Sequence, residues 1–322
     1  MAELKKPNHK PRTVDLRTFN EIKNKVLIFN DKGGLGDVLM QRMLFNDLRK
    51  LLPGAELTLA CLPEYMDSAV DHPNIDNVVD SRTVNHDQYM VSFNTCVTIA
   101  DRYESNNVPN CKEHRSDIWA NYFGLELTEH DMNFVVDKKK REESEELLAQ
   151  YRKPGKPLIG LAPTSKMLTK SLTPQQIGWI HKRLKDYGLV SFHKGDIPSC
   201  RSLGIPVIGD LGAQDLIACF DCLDYVISVD TASFHLAGGL RKPLVGIFTF
   251  ADGKAYGKYY DFVLVQKHRD NGDWDCGPCF KFCSCPKTKK PIKPCLTEIT
   301  EAEIVHGIDA MFGKWNYENK TN

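Results

Sequence analysis

No stretch of this sequence holds the roughly eighteen consecutive apolar residues that a membrane-spanning helix needs. The N-terminus, MAELKKPNHKPRTVDLRTF, lacks the apolar core of a signal peptide, so the expected location is the cytosol, at most peripheral to an inner membrane and without integral membrane contact. There is no excess charge: 42 Lys and Arg meet 42 Asp and Glu. That balance counts against a dedicated duplex-DNA binder, whose footprint is strongly basic, although a local basic patch is compatible with it. The nucleotide-binding patterns G-x-G-x-x-G and Gly-Lys-Ser/Thr are both missing, and no internal repeat is seen. What is present is ordinary for globular chains, 42% hydrophobic and 26% charged residues, which excludes fibres and disorder. A length of 322 residues suggests two domains.

Cysteine is abundant. Cys61, Cys96, Cys111, Cys200, Cys219 and Cys222 are scattered, whereas Cys276, Cys279, Cys283, Cys285 and Cys295 read C-x2-C-x3-C-x-C-x9-C. Without an export signal, dense thiols at CxxC spacing read as metal ligands rather than a disulfide framework. Four thiolates around one ion form a closed structural site, so one of Cys283 and Cys285 is spare. Zinc is the default, and an S4 set also suits iron. The segment 275–296 has almost no apolar periodicity and cannot hold itself by a core. Lys281, Lys287, Lys289, Lys290 and Lys293 would offset the thiolate charge.

Along the chain, a basic arm over 1–24 precedes a buried-type strand, Lys25 to Asn30. A glycine turn, Gly33-Gly34-Leu35-Gly36-Asp37, leads into a helical pattern from Val38 to Leu52 that Pro53-Gly54 stops, and Leu57 to Cys61 is a second strand. This is a βαβ unit, the building block of parallel sheets, and runs at Val78–Asp80 and Thr95–Ile99 continue it. The charged stretch from Asp137 to Gly155 reads as a helix ending in a Pro-Gly linker. Strands then recur at Leu158–Ala162, Leu189–Phe192, Pro206–Ile208, Tyr225–Val229 and Leu244–Phe248. Helical patterns span Pro174–Asp186, Ala213–Leu223, His235–Leu240 and Glu301–Phe312. Residues 25–150 and 151–322 read as two βα-rich halves, N-terminal and C-terminal, and two such halves should leave a cleft between them.

The glycine turn sits where backbone N–H groups can face an anion or a sugar, or where Asp37 merely caps a tight turn. The strand that follows ends in Ala60-Cys61, without the ribose-binding carboxylate of a nicotinamide site. Ser228-Val229-Asp230-Thr231-Ala232-Ser233-Phe234-His235 runs from a strand into a helix N-terminus able to present free N–H groups to phosphates.

Together, Gly34-Leu35-Gly36-Asp37 and Asp230 to Ala237 with Lys242-Pro243-Leu244-Val245-Gly246-Ile247-Phe248 resemble glycosyltransferase family 9, the ADP-heptose:lipopolysaccharide heptosyltransferases. The resemblance covers about residues 25 to 312 and includes Leu161-Ala162-Pro163-Thr164-Ser165, Lys170 and the Cys-Gly-Pro-Cys segment. Ala232 stands where the family usually has glycine, and a common tryptophan is replaced around Ser171-Leu172. The resemblance implies an α/β GT-B fold, two facing Rossmann-like domains with a cleft between them, and a Cys-rich metal-binding segment. It implies that Thr164, Ser165 and Lys170, with Lys166 as competitor, hold the donor diphosphate. It also implies that the region of His114-Arg115-Ser116-Asp117 faces the acceptor, where Arg115 binds a phosphate or carboxylate or else sits in a capping segment. Cys285 precedes Pro286 as the family's third cysteine does, which favours Cys276, Cys279, Cys285 and Cys295 as ligands over a set with Cys283. Related protein-heptosylating enzymes carry iron, so both metals stay open.

The expected activity is inverting transfer of a heptose-like sugar from a nucleotide-diphosphate donor, resembling ADP-heptose, to a hydroxyl of a glycan, a protein or a modified DNA base. Asp37 is the expected base, Asp230 and His235 hold sugar or phosphate, and Thr231-Ala232-Ser233 stabilise the leaving diphosphate without a catalytic metal. Gly34, Leu35 and Gly36 belong to the acceptor side. A non-catalytic metal-organised interaction protein is the rival reading, and a homo-oligomer is left open.

Overall fold

Short apolar segments alternating with helices build two parallel sheets, because strands buried on both faces need helices to cover them. The molecule, a computed structural model, is described over residues 25–95, 97–267, 277–280, 285, 287–289 and 294–315. The first sheet has β1 (Lys25–Phe29), β2 (Glu56–Cys61), β3 (Asn77–Asp80) and β4 (Val91–Asn94) in the order β3-β2-β1-β4. Every neighbouring pair is parallel, with Val26 opposite both Leu57 and Val91. Its helices are α1 (Leu35–Gln41), α2 (Leu44–Leu51), α3 (Pro63–Met66), α4 (Val97–Asn107) and α5 (Arg115–Tyr122).

After α6 (Lys138–Ala149) the second sheet follows: β5 (Leu158–Ala162), β6 (Gly188–Phe192), β7 (Val207–Ile208), β8 (Tyr225–Val229), β9 (Leu244–Phe248) and β10 (Val263–Gln266). Its order is β10-β9-β8-β5-β6-β7, again all parallel. The remaining helices are α7 (Pro174–Arg183), α8 (Pro198–Ser202), α9 (Ala213–Asp221), α10 (Ala232–Gly239), α11 (Gly253–Tyr256), α12 (Pro294–Thr297) and α13 (Glu301–Trp315). Thr173, Pro174 and Gln176 start α7 with a capping box and a proline at the first turn. Leu172, Ile177, Ile180, Ile304, Ile308 and Met311 form a core beneath α7 and α13. A second core runs from Val26, Ile28 and Met40 through to Phe234, Tyr256 and Tyr260, so the two halves share one apolar seam.

The structure departs from the sequence reading in four places. The helix expected from Val38 to Leu52 is two helices. At Arg42 and Met43 the backbone tightens to i→i−3 bonds, Arg42 N to Leu39 O at 3.2 Å and Met43 N to Met40 O at 3.4 Å. The fully buried Arg42 guanidinium is held there by both Asp71 oxygens (2.8 and 2.9 Å) and by the carbonyls of Ser68, Met132 and Asn133. A buried guanidinium tolerates no unpaired donor, so the chain bends to its partners. Thr95–Ile99 is not a strand: β4 ends at Asn94, and α4 begins at Val97. A short apolar run does not distinguish strand from buried helix by periodicity. The edge strand β10 is absent from the sequence reading, although Phe262 to Val265 is a short apolar run of strand type. Finally, α6, read as closing the first half, packs on α9, with Ser144 and Leu148 buried and Arg141 paired to Asp221 at 2.7 Å. The basic arm over 1–24 lies outside the described residues.

Candidate active site

In an open parallel sheet, ligands bind beyond the carboxyl ends of the strands where the chain reverses its direction of travel across the sheet. That point falls at β1/β4 in the first sheet and at β5/β8 in the second. The loop after β1 carries Gly33 and Gly34 and leads into Asp37 in the first turn of α1, the loop after β5 carries Thr164 and Ser165, and the loop after β8 carries Asp230 and Thr231. These ends face one another across a cavity of about 1060 Å³. Every candidate binding and catalytic residue named from the sequence lines it: Gly34, Leu35, Gly36, Asp37 and Arg115 from the first half, and Thr164, Ser165, Lys170, Asp230, Thr231, Ala232, Ser233 and His235 from the second. The seam is close because Gly36 has no side chain. A Cβ there would stand 3.2 Å from His235 Cδ2 and 3.5 Å from the Ala232 Cα.

On the first wall, Asp37 Oδ2 accepts the Gly34 N–H at 2.9 Å and Oδ1 accepts from Arg115 Nη1 at 2.9 Å. Arg115 is also held by both oxygens of Glu104 (2.8 and 2.9 Å) and by Asp101 at 2.6 Å. Burial opposes its charge, but the carboxylates outweigh that, and its pKa lies well above the ordinary range. Burial raises the Asp101 pKa, with Glu104 and Asp37 adding to it and Arg115 opposing. Arg115 therefore faces the cavity with most of its donors engaged by protein carboxylates.

On the second wall, the Lys170 ammonium lies 2.7 Å from Asp230 Oδ2, and its competitor Lys166 reaches across the cavity to the Tyr65 hydroxyl at 2.7 Å. The hydroxyl of Thr164 is buried and has no hydrogen-bond partner among the described residues. Ser165 N–H donates to Ser171 Oγ at 2.9 Å, which fixes the turn after β5. Thr231 opens α10 in an extended conformation with no side-chain cap bond, so the first turn faces the cavity uncapped by its own side chain. His235 is buried, its Nδ1 3.1 Å from the Tyr260 hydroxyl. Burial, with Lys170 and Arg115 adding to it, pushes its pKa down to about 3, so it stands as a neutral ring. The cavity is also lined by residues that no motif marked: Tyr65 from the first half, and Phe192, His193, Lys194, Asp210 and Tyr256 from the second.

Of the expected metal ligands, Cys276 and Cys283 lie outside the described residues, as do Lys281, Lys290 and Lys293. Cys285 is buried and Cys279 and Cys295 are half-buried, in a segment docked on the second half by the bond from Phe280 N to Phe250 O at 2.9 Å. Among the described residues no group of three or more His, Cys, Asp or Glu is gathered as a metal site. Also among the described residues, no helix is long and apolar enough to cross a membrane.

Two parallel α/β sheets facing across a cavity at their switch points define the class, an α/β fold similar to that of the GT-B heptosyltransferases. Residues 193–285 match the model of glycosyltransferase family 9 (heptosyltransferase). No curated protein matches the chain by sequence. A glycosyl transferase of family 9 from Veillonella parvula superposes with a TM-score of 0.69 at 13% identity, over 90% of this chain and 97% of that one. The E. coli ADP-heptose lipopolysaccharide heptosyltransferase II gives 0.63 at 11% identity, over 91% and 99%. TibC from enterotoxigenic E. coli, a dodecameric iron-containing heptosyltransferase solved with ADP-D-β-D-heptose, gives 0.67 at 16%, over 92% and 78%. These findings show a chain similar to the family 9 heptosyltransferases in fold over most of its length and in sequence over residues 193–285.

Proposed function

We propose that this protein transfers a heptose-like sugar, with inversion, from an ADP-heptose-like nucleotide sugar to a hydroxyl acceptor. The observation that carries this reading is one cavity with the Asp37 carboxylate at the glycine turn on one wall and, on the other, a lysine, a hydroxyl without a partner among the described residues and a helix N-terminus. Asp37 takes the acceptor proton as the acceptor oxygen bonds the anomeric carbon. The bond from that carbon to the diphosphate oxygen breaks, and the nucleotide diphosphate leaves with the electron pair. The Thr164 and Ser165 hydroxyls, Lys170 and the amides of Ala232 and Ser233 stabilise the charge growing on it. Asp230 orients the Lys170 ammonium. Arg115 is a positioning residue for Asp37 more than an acceptor ligand, since its donors already meet Asp37, Asp101 and Glu104. A panel of nucleotide sugars, scored by thermal shift and then by transfer, tests the reading. Binding of NAD with no response to any nucleotide sugar would overturn it.

Lys170→Met is expected to weaken donor binding about tenfold to a hundredfold, the size of a lost charge-assisted hydrogen bond. It leaves Asp230, 5% exposed, without that ammonium, so the melting temperature of the free protein should also fall. Calorimetric titration with the donor separates the two effects. A donor affinity equal to wild type would remove Lys170 from the phosphate site.

We further propose one structural metal ion, zinc or iron, on Cys276, Cys279, Cys285 and Cys295, with Cys283 the alternative to Cys285. Soft thiols in a lysine-rich segment suit either metal. The ion would hold the segment against the second half and take no part in the transfer. Elemental analysis of protein purified without added metal should find about one equivalent, and Cys276→Ser with Cys279→Ser should release it and lower the melting temperature. Less than about a tenth of an equivalent of zinc plus iron, with all five thiols titratable, would exclude the site.

A further inference from the structure

One short turn of the second half grips the first half at several points. Tyr256 Oη donates to Glu104 Oε1 at 3.0 Å, and the Tyr256 ring lies 5.3 Å from the Arg115 guanidinium carbon. Lys258 Nζ reaches Asp117 at 2.8 Å and Glu113 at 3.3 Å, and Tyr259 Oη donates to Asp117 at 2.6 Å. Tyr260 meets His235 beside the seam. Among these, the Tyr256 contact touches the chain of groups that ends at the base. Glu104 has a fully buried side chain whose two oxygens hold Nε and Nη2 of Arg115, and Nη1 of the same guanidinium holds Asp37 Oδ1.

We propose that Tyr256, acting through Glu104 and Arg115, is a positioning residue that aligns Asp37 only while the second half sits against the first. This rests on the reading of Asp37 as base. A planar guanidinium held on three edges has one orientation, and rotating Glu104 about its own side chain turns that plane and moves the Asp37 carboxylate with it. The Tyr256 hydroxyl fixes Glu104 from the opposite half. If the halves part to admit donor or release product, Glu104 loses that donor and the aligned geometry is lost until they close again. Burial raises the Tyr256 pKa well above its ordinary value, so the group remains a hydroxyl donor throughout the working pH range.

The test uses full-length Tyr256→Phe, Asp37→Asn and the double variant, with kcat for transfer at saturating substrates and donor Kd by calorimetry. Glu104→Gln, which keeps the side-chain volume, is the second single variant. Tyr256→Phe and Glu104→Gln are each expected to lower kcat about ten- to a hundredfold, the scale of a small misplacement of a reacting group, with donor Kd within about twofold. In the Asp37→Asn background, Tyr256→Phe should change the residual turnover by less than about twofold, because a group acting through Asp37 has nothing left to position. Effects that multiply in the double variant, or a Tyr256→Phe turnover within about twofold of wild type, would overturn the inference alone. Near-wild-type turnover of Asp37→Asn would overturn the base assignment, and the inference with it. Should the residual turnover be unmeasurable, a crystal structure of Tyr256→Phe decides: a displaced Asp37–Arg115 pair supports the inference, and a pair unmoved at 2.9 Å overturns it.

Discussion

Asp37→Asn should reduce the transfer turnover by about a hundredfold to ten-thousandfold, the span general-base groups supply, with the nucleotide-sugar affinity nearly unchanged. The substitution is isosteric and keeps an oxygen for the Gly34 N–H or for Arg115, so α1 stays capped and the fold is retained. What it loses is the lone pair able to take a proton. Asp37 is 14% exposed at its side chain and opens on the cavity, whereas Glu104 is buried behind Arg115 and cannot meet an acceptor hydroxyl. Asp230, a carboxylate that also lines the cavity, is paired with Lys170 on the donor wall. Activity is therefore expected to fall in kcat, with the donor Kd within about twofold, because no donor contact is removed. Initial rates at saturating donor and acceptor are the measurement. Turnover within about threefold of wild type would mean that another group takes the proton.

Most residues of the site that were legible in the sequence lie within a few positions of a strand end; Arg115, which opens α5, and Lys170 were named through the family resemblance. Gly34 to Asp37 follow β1, Thr164 and Ser165 follow β5, and Asp230 to Ser233 follow β8. A βα loop is local, so residue type and spacing reveal it, and parallel topology then brings such loops to one edge. Glu104, Asp101 and Tyr256 were not legible. Tyr256 and Glu104 are 152 positions apart and meet through the packing of two halves, which no periodicity records. Arg42 shows the same limit within one helix. Its position fits a helical pattern, and only the partners it finds at Asp71, Met132 and Asn133 explain why the backbone breaks there. The charged helix α6 was legible as a helix from its composition, but the layer it joins depends on α9, far along the chain. The cysteine spacing remains informative as chemistry, since thiols at those intervals suit a metal whatever the loop geometry.

The free energy of the fold should also collapse in mild acid, and histidines are the cause. His72, His114 and His235 are each at most 2% exposed. Burial is the largest influence on all three and pushes each pKa down to about 3. Arg42 adds to it at His72, the His235 ring at His114, and Lys170 with Arg115 at His235. The ring Nδ1 of His114 accepts the Ser116 N–H at 3.2 Å to cap α5, and that of His72 accepts the Asn74 N–H at 3.1 Å, both roles that need a neutral nitrogen. In the unfolded chain these rings titrate near 6.5. Below that pH the unfolded state binds protons that the folded state refuses. The stabilising contribution is therefore complete above pH 6.5 and is lost progressively as pH falls toward 3. Each ring contributes a slope of about 1.4 kcal/mol per pH unit once the unfolded form is protonated, and three together about 4. Against a total stability of about 5–15 kcal/mol, cooperative unfolding is expected between about pH 4 and pH 5. Urea unfolding at a series of pH values gives the proton count directly from the slope of free energy against pH. A slope of less than about one proton between pH 6 and pH 5 would contradict it. His114→Asn isolates one ring, because asparagine also serves as a helix cap, and it should lower the slope by about one proton. His114 and His235 stand together at the seam between the halves, with ring centroids 6.5 Å apart. Their protonation would set two like charges beside Lys170 and Arg115, so acid should part the halves where the cavity closes and extinguish transfer together with the fold.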